Sequence, residues 1–261
     1  MLKKLRSFLE GRPAVEPITR IPDGQRVYAI GDIHGRCDLI GQMIARIDAD
    51  DAGRTTADTT VILLGDLVDR GPDSAGVIAT AREWAKRRRV RVLAGNHEEM
   101  FLGSFEREET LRHFLRHGGK ETLLSYPISP EAYTRATLEE VQTMMHHAVP
   151  AEDIAFMEAM EDQIQIGDYL FVHAGIRPGI SAKDQKVSDL RWIRGEFIEG
   201  PESRDFAVIH GHTITEVPHV SPLRIGLDTG AFASGKLTAI GLEGTARWLI
   251  TVQGEPAPIP A

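Results

Sequence analysis

The chain has 261 residues, of which 42% are hydrophobic and 26% charged, as expected for a globular protein of one or two domains. A net charge of −8 disfavours nucleic acid as a partner, and no apolar run is long enough for a membrane span. The single cysteine excludes an internal disulfide and a thiolate-built metal site, so we expect a cytoplasmic protein.

Strand and helix patterns alternate in the first hundred residues. Residues 1–24 are interpreted as an N-terminal extension, whose first residues have the spacing of a short amphipathic helix but are equally consistent with a frayed terminus. Buried strands and amphipathic helices then alternate, at residues 26–30, 38–48, 60–64, 74–88 and 90–94. This order predicts neighbouring parallel strands that are joined by right-handed crossovers.

The second half of the chain differs in pattern. Residues 98–163 contain no strand pattern and are predicted to form a helical insert, with a break at Gly118 and Gly119. Further strands are predicted at residues 169–173, 206–210, 223–228, 236–242 and 246–252. Short loops between these strands indicate mixed β-sheets in an α/β fold. We predict a single domain over residues 25–252 and a flexible Pro-rich tail over residues 253–261.

Polar motifs follow five of the predicted strands. They read GDIHG, GDLVDRG, GNHE, VHAG and GHT in chain order. Each has an ordinary alternative, since Asp32 alone could cap the next helix and His173 alone could be a buried, hydrogen-bonded histidine. Ligands of α/β sheets bind beyond the carboxyl ends of the strands, so we expect the motifs to converge. The candidate metal ligands are Asp32, His34, Asp66, Asn96, His173 and His212.

These ligands offer nitrogen and oxygen but no sulfur. That chemistry favours borderline divalent cations such as Mn²⁺, Fe²⁺ or Zn²⁺ over Ca²⁺. Our first choice is Mn²⁺, with Fe²⁺/Fe³⁺ or Zn²⁺ as alternatives. Six ligands exceed what one tetrahedral site with an open position can use. Two metal ions that share a bridging carboxylate fit the number better.

The five motifs, in this order, resemble those of phosphoprotein phosphatases in the calcineurin-like metallophosphoesterase superfamily, and in particular bacterial and phage serine/threonine phosphatases. The resemblance extends over residues 27–244 and includes the segments GGKETLLSY and LRWIRGEF. It implies a calcineurin-like fold and two divalent metal ions. It also implies that Asp32 and His34 bind the first ion, that Asp66 bridges both, and that the second is bound by Asn96, His173 and His212.

The same resemblance implies the roles of the remaining motif residues. His97, oriented by Asp69, would be the general acid, and Asp69 would favour the protonated ring. Arg70, Asn96 and Arg194 would contact the substrate. Many metallophosphoesterases end their last motif in Gly-His-x-His, but Ile214 stands at the final position here. An isoleucine cannot bind metal, which favours the phosphoprotein phosphatase branch.

Three functions are consistent with these motifs. The first is a serine/threonine protein phosphatase in which a metal-bound hydroxide attacks the phosphomonoester. The second is hydrolysis of dinucleoside polyphosphates, as in diadenosine tetraphosphatases, and the third is an inactive phosphoprotein-binding scaffold. A groove would suit a phosphoprotein, whereas a basic, aromatic-lined pocket would suit an adenine. The insert has few aromatic residues, which favours the phosphoprotein, and a complete ligand set argues against the scaffold.

Overall fold

The computed structural model describes residues 18–202 and 204–256, which form two five-stranded mixed β-sheets flanked by helices. The start of the predicted N-terminal extension, with its possible amphipathic helix, and the last residues of the predicted tail lie outside these ranges. The strands are β1 Gln25–Ile30, β2 Asp58–Leu63, β3 Val90–Val92, β4 Gln163–Ile166, β5 Tyr169–Val172, β6 Ala207–His210, β7 His219–Val220, β8 Arg224–Gly226, β9 Lys236–Glu243 and β10 Ala246–Gln253. The predicted α/β class with mixed sheets is therefore confirmed.

The first sheet has the strand order β10-β9-β1-β2-β3. Strands β1, β2 and β3 are parallel neighbours, as predicted, with Tyr28 of β1 beside Val61 of β2. Strand β9 pairs antiparallel with β1, and β10 pairs antiparallel with β9. The parallel arrangement brings the carboxyl ends of the first three strands, and the motifs that follow them, to one edge.

The second sheet has the order β4-β5-β6-β8-β7. Strands β5, β6 and β8 are parallel, and β4 and β7 are antiparallel edges. The sequence analysis missed both edges, because β4 has only 4 residues and β7 only 2. Runs this short carry too little alternation to be separated from a loop.

The two sheets pack face to face over an apolar layer. Side chains of β1 and β2, such as Val27 and Ile62, contact side chains of the second sheet, such as Phe171, Ile209 and Ile225. All of these side chains are fully or almost fully buried. Because the layer joins both sheets, the loops after β1, β2, β3, β5 and β6 lie over one end of the sandwich. None of the helices in the described ranges combines the length and apolar character that a membrane crossing requires.

Helices cover the outer faces of both sheets. They are α1 Cys37–Ala52, α2 Ser74–Arg87, α3 Asn96–Ser104, α4 Glu108–Phe114, α5 Lys120–Ser125, α6 Pro130–Arg135, α7 Leu138–Ala148, α8 Ala151–Glu158, α9 Val187–Trp192, α10 Gly195–Ile198 and α11 Ala231–Ser234. Between β3 and β4 the chain is helical, with a kink at Gly118, where φ is 101°. Gly118 is close to the backbone of Arg70, so this kink places the insert against the loop after β2.

Candidate metal centre

Left-handed backbone is concentrated in the loops that follow the strands. Among the described residues, the non-glycine residues with positive φ are His34, Asp66, Asp69, Arg70 and His212. This conformation is uncommon for residues with a side chain, and it persists only where the surrounding structure enforces it. All five are candidate site residues, so the strained backbone marks the same place as the motifs.

His34, Asp66 and His97 form a first group in which one possible ligand atom of each lies within 4.8 Å of the others. His34 donates its Nδ1 proton to the carbonyl of Val68 at 2.7 Å, which leaves the Nε2 lone pair facing the site. That Nε2 atom lies 3.5 Å from Oδ2 of Asp66. All three side chains are buried.

Asp66, His173 and His212 form a second group by the same distance criterion. Nε2 of His173 lies 3.4 Å from Oδ1 of Asp66, 3.0 Å from Oδ1 of Asn96 and 3.1 Å from Nδ1 of His212. His173 donates its other ring proton to the carbonyl of Leu64 at 2.8 Å. The two oxygens of Asp66 therefore face different groups, which is the arrangement that a bridging carboxylate requires.

Asp32 lies beside these groups but, within the described residues, belongs to neither. Its carboxylate accepts the backbone N–H of His212 at 2.9 Å, and a side chain on Gly211 would collide with it. Burial raises the pKa of Asp32 well above its usual value, and the charges of Asp228 and Asp66 add to the increase. Asp228, which the sequence analysis did not single out, is itself 1% exposed. A cation at this position would offset the repulsion among the three carboxylates.

His97 is held between two other predicted site residues. Its Nδ1 lies 2.6 Å from Oδ2 of Asp69, and Asp69 accepts the hydroxyl proton of Thr122 at 2.6 Å on its other oxygen. The expected orienting contact from Asp69 is present. The pKa of His97 is lowered to about 4, mainly by burial, with the Asp66 charge raising it and Arg70 lowering it. Burial therefore opposes the protonated ring that the Asp69 contact was expected to favour.

Arg70 points its guanidinium group at the first group of ligands. One nitrogen lies 2.8 Å from Nε2 of His34, and another lies 2.8 Å from Nε2 of His97. The backbone N–H of Arg70 donates to the carbonyl of Gly118 at 3.0 Å, which ties this loop to the insert. Arg194 approaches from the other side and donates to the carbonyl of His212 at 3.1 Å.

Glu98 holds the backbone of the loop after β2 through hydrogen bonds, and the sequence analysis assigned it no role. Its carboxylate accepts the backbone N–H groups of Asp66, Leu67, Val68 and Gly95 at 2.7–3.3 Å, and the side chain is fully buried. The contacts hold the left-handed loop around Asp66 in place. Glu98 stands three residues after Gly95, at the start of α3, which is the spacing of a capping box. This spacing is the sequence signal from which the role of Glu98 could have been predicted.

We expect Glu98→Ala to lower the free energy of unfolding by about 3–5 kcal/mol, because four buried N–H groups would lose their acceptor. The measurement is denaturant unfolding in EDTA, so that metal binding does not contribute. Glu83→Ala is the control, since Glu83 lies on the surface of α2. Equal unfolding free energies for the two variants would show that Glu98 does not stabilise the loop.

The ligand atoms fit divalent cations. Burial lowers the pKa of His34, His173 and His212, so these rings are neutral at neutral pH and offer lone pairs. Nε2 of His212 is buried and has no hydrogen-bond partner among the described residues. Two overlapping sets of nitrogen and oxygen ligands beside an arginine, at the ends of strands in a two-sheet sandwich, define a metal-dependent phosphoesterase.

Comparison with known proteins agrees with this class. Residues 25–223 match the family model described as calcineurin-like phosphoesterase. The chain belongs to this family of hydrolases, which use divalent metal ions, and the resemblance inferred from the motifs is confirmed.

Two relatives and one solved structure show what the chain is similar to. The chain is 25% identical to the asymmetrical bis(5'-nucleosyl)-tetraphosphatase PrpE of Oceanobacillus iheyensis, with 82% of this chain and 87% of that protein covered. It is 28% identical to serine/threonine-protein phosphatase 1 of Salmonella typhimurium, with 82% and 90% covered. The crystal structure of a candidate diadenosine tetraphosphatase superposes with a TM-score of 0.64 at 19% identity, covering 92% of this chain and 99% of the other.

Proposed function

We propose that this chain hydrolyses dinucleoside polyphosphates, with diadenosine tetraphosphate as the reference substrate. The position of Asp66 between two groups of ligands supports phosphoester hydrolysis by a metal centre. The choice of substrate class rests on the similarity to several bis(5'-nucleosyl)-tetraphosphatases, which reaches 82% of this chain for the Oceanobacillus iheyensis protein. A phosphoprotein, favoured by the motif resemblance, becomes the second candidate. The insert itself has few aromatic residues, but an exposed tryptophan from α9 lies beside it.

Two metal ions are proposed for the site, with Mn²⁺ as the first choice. Asp32, His34 and Asp66 would hold one ion, and Asp66, Asn96, His173 and His212 would hold the other. Divalent cations, when bound, lower the pKa of water and offset phosphate charge. The donor atoms of His34 and His173, about 3.5 Å from the Asp66 oxygens, are consistent with this assignment.

Arg70 and His97 are proposed to act on the phosphate group. A guanidinium matches two phosphate oxygens in geometry, and that of Arg70 lies at the first group of ligands. The guanidinium of Arg70 must move away from Nε2 of His34 before that nitrogen can bind a metal ion. Asp69 keeps the Nδ1 proton of His97, so Nε2 faces the substrate. The negative charge of a bound polyphosphate would raise the pKa of this ring, which could then protonate the leaving phosphate oxygen. Asn96 and Arg194 would complete the contacts to substrate.

The second candidate, a serine/threonine protein phosphatase, is supported by the similarity to the Salmonella enzyme over 82% of the chain. Both functions use the same metal centre and attack at phosphorus. They differ in the leaving group and in the surface that receives the rest of the substrate. A direct comparison of substrates separates the two functions.

We expect one Mn²⁺-loaded preparation to hydrolyse diadenosine tetraphosphate with a kcat/KM at least about tenfold above that for a phosphoserine or phosphotyrosine peptide. Product analysis by chromatography then distinguishes symmetrical from asymmetrical cleavage. The control is the same preparation in EDTA with para-nitrophenyl phosphate. Faster hydrolysis of the phosphoserine peptide would favour the protein phosphatase, and no turnover of any substrate with any divalent metal would favour the scaffold.

A further inference from the structure

A cavity of about 650 Å³ opens between the helical insert and the end of α9. This volume lies in the usual range for sites that bind small molecules. The residues that matter for its chemistry are Glu99, Arg107, Arg112, His113, Arg116 and Trp192. None of the candidate metal ligands or phosphate-binding residues is among its lining residues.

Three chain segments connect this cavity to the metal centre. Trp192 lies two residues before Arg194, and Arg194 contacts the carbonyl of His212. Arg116 lies two residues before Gly118, and the carbonyl of Gly118 accepts the backbone N–H of Arg70. On the third segment, Glu99 follows His97 by two residues. The cavity and the metal centre are therefore built from the same three chain segments.

The cavity carries positive charge although the chain as a whole is acidic at −8. Within the described residues, Arg107 and Arg116 have no carboxylate partner within 4.0 Å, so their charges are available to a ligand. Arg112 pairs with Glu108 at 2.6 Å on the solvent side. Two carboxylates also line the cavity. Glu99 is paired with Arg191 at 3.1 Å, whereas Glu109 has no ion-pair partner among the described residues, so the unpaired side chains Arg107, Arg116 and Glu109 leave a net charge of about +1. This balance favours an anionic ligand.

Trp192 supplies an aromatic surface in the same cavity. Its side chain is 36% exposed, so part of the indole is accessible to a ligand in the cavity. The indole N–H donates to Oε2 of Glu99 at 3.3 Å, and the ring of His113 lies 6.4 Å away between centroids. The hydrogen bond orients the indole, so that a planar ring can stack on it with little loss of side-chain entropy.

We propose that this cavity binds the distal nucleoside of a dinucleoside polyphosphate, with the base stacked on Trp192 and the adjoining phosphates bound by Arg107 and Arg116. The proposal rests on the proposed function and names the substrate part that this surface receives. A phosphopeptide is the less favoured occupant, because it requires no aromatic platform and does not carry several phosphates in a row.

The first test compares Trp192→Ala, Trp192→Phe and the double variant Arg107→Gln/Arg116→Gln with wild type. We expect Trp192→Ala and the double variant to lower kcat/KM for diadenosine tetraphosphate by about tenfold more than that for para-nitrophenyl phosphate. Trp192→Phe should recover most of the loss. The charge-matched control is Arg89→Gln, which changes an exposed arginine that pairs with Asp58. This variant should leave kcat/KM for both substrates unchanged.

An unchanged ratio of the two kcat/KM values in both Trp192→Ala and the double variant would overturn the proposal. So would a selective loss of phosphoserine peptide hydrolysis, which would place a peptide in the cavity. The proposed function fails separately, if wild type itself does not hydrolyse diadenosine tetraphosphate.

A second measurement needs no turnover. Titration of the EDTA-treated wild type with adenosine triphosphate should quench tryptophan fluorescence, and Trp192→Phe should abolish the quench while Trp84 and Trp248 remain. Equal quenching in the two proteins, or none in wild type, would show that no nucleotide base binds at Trp192. This outcome tests the cavity whether or not the enzyme cleaves dinucleotides.

Discussion

Asp66→Asn is expected to leave the protein folded but without its metal ions, and to lower turnover by more than about 100-fold. One oxygen of Asp66 lies 3.5 Å from Nε2 of His34 and the other 3.4 Å from Nε2 of His173. In the asparagine variant, an NH₂ group replaces one of these oxygens. This group donates hydrogen bonds and cannot bind a cation, so one of the two groups loses its Asp66 ligand atom. Because Asp66 belongs to both groups of ligands, the change affects them together.

The metal loss can be separated from unfolding. Burial raises the pKa of Asp66 in the metal-free protein, so a neutral amide of the same shape costs the fold little. Metal content per chain after gel filtration, circular dichroism and hydrolysis of para-nitrophenyl phosphate with Mn²⁺ are the measurements. Asp58→Asn is the control, since Asp58 is exposed on the surface. Two ions per chain in Asp66→Asn would exclude a bridging role.

His97→Asn is expected to lower kcat by about 10²–10⁴-fold while the protein keeps its metals. His97 belongs to the first group of ligand atoms, but its Nε2 lies 3.9 Å from Asp66 and its Nδ1 contacts Asp69 at 2.6 Å. Such contacts suit a proton donor that is held beside the centre. Metal content and kcat, measured on the same preparation, decide between the two roles.

The choice of substrate sharpens this prediction. A para-nitrophenolate departs without a proton more readily than an alkoxide, so we expect the loss in His97→Asn to be larger with a phosphoserine peptide than with para-nitrophenyl phosphate. His147→Asn, a change of an exposed histidine on α7, is the matched control. If His97→Asn loses its metals as readily as Asp66→Asn, His97 is a ligand and another group must be the acid.

The order of the early elements and the location of the site could be predicted from local patterns. The runs around Tyr28, Val61 and Val92 are buried and β-branched, and their parallel pairing follows from the helices between them. Parallel strands end at one edge, which is why Asp32, Asp66 and Asn96 could be placed together before the structure was known. The metal-binding roles of these residues remain predictions, which Asp66→Asn tests directly.

Contacts between distant parts of the chain could not be predicted in this way. Strand β9 pairs with β1 across more than 200 residues, and Thr122 of the insert reaches Asp69 across 53. The proximity of the buried carboxylates of Asp228 and Asp32 is another such long-range contact. Only packing decides such pairs, because nothing in a local window specifies which distant segment will be the neighbour.

By itself, the sequence determined which chemical groups follow each strand, since the motifs are local and strand direction sets the edge at which they lie. It also determined the family, through the order of those motifs. The tertiary structure decided that Glu98 holds the Asp66 loop, that burial lowers the pKa of His97, and that Trp192 from α9 lines the same cavity as the arginines of the insert. These features depend on desolvation and on side chains from separate segments, both of which exist only after the sheets and the insert have packed together.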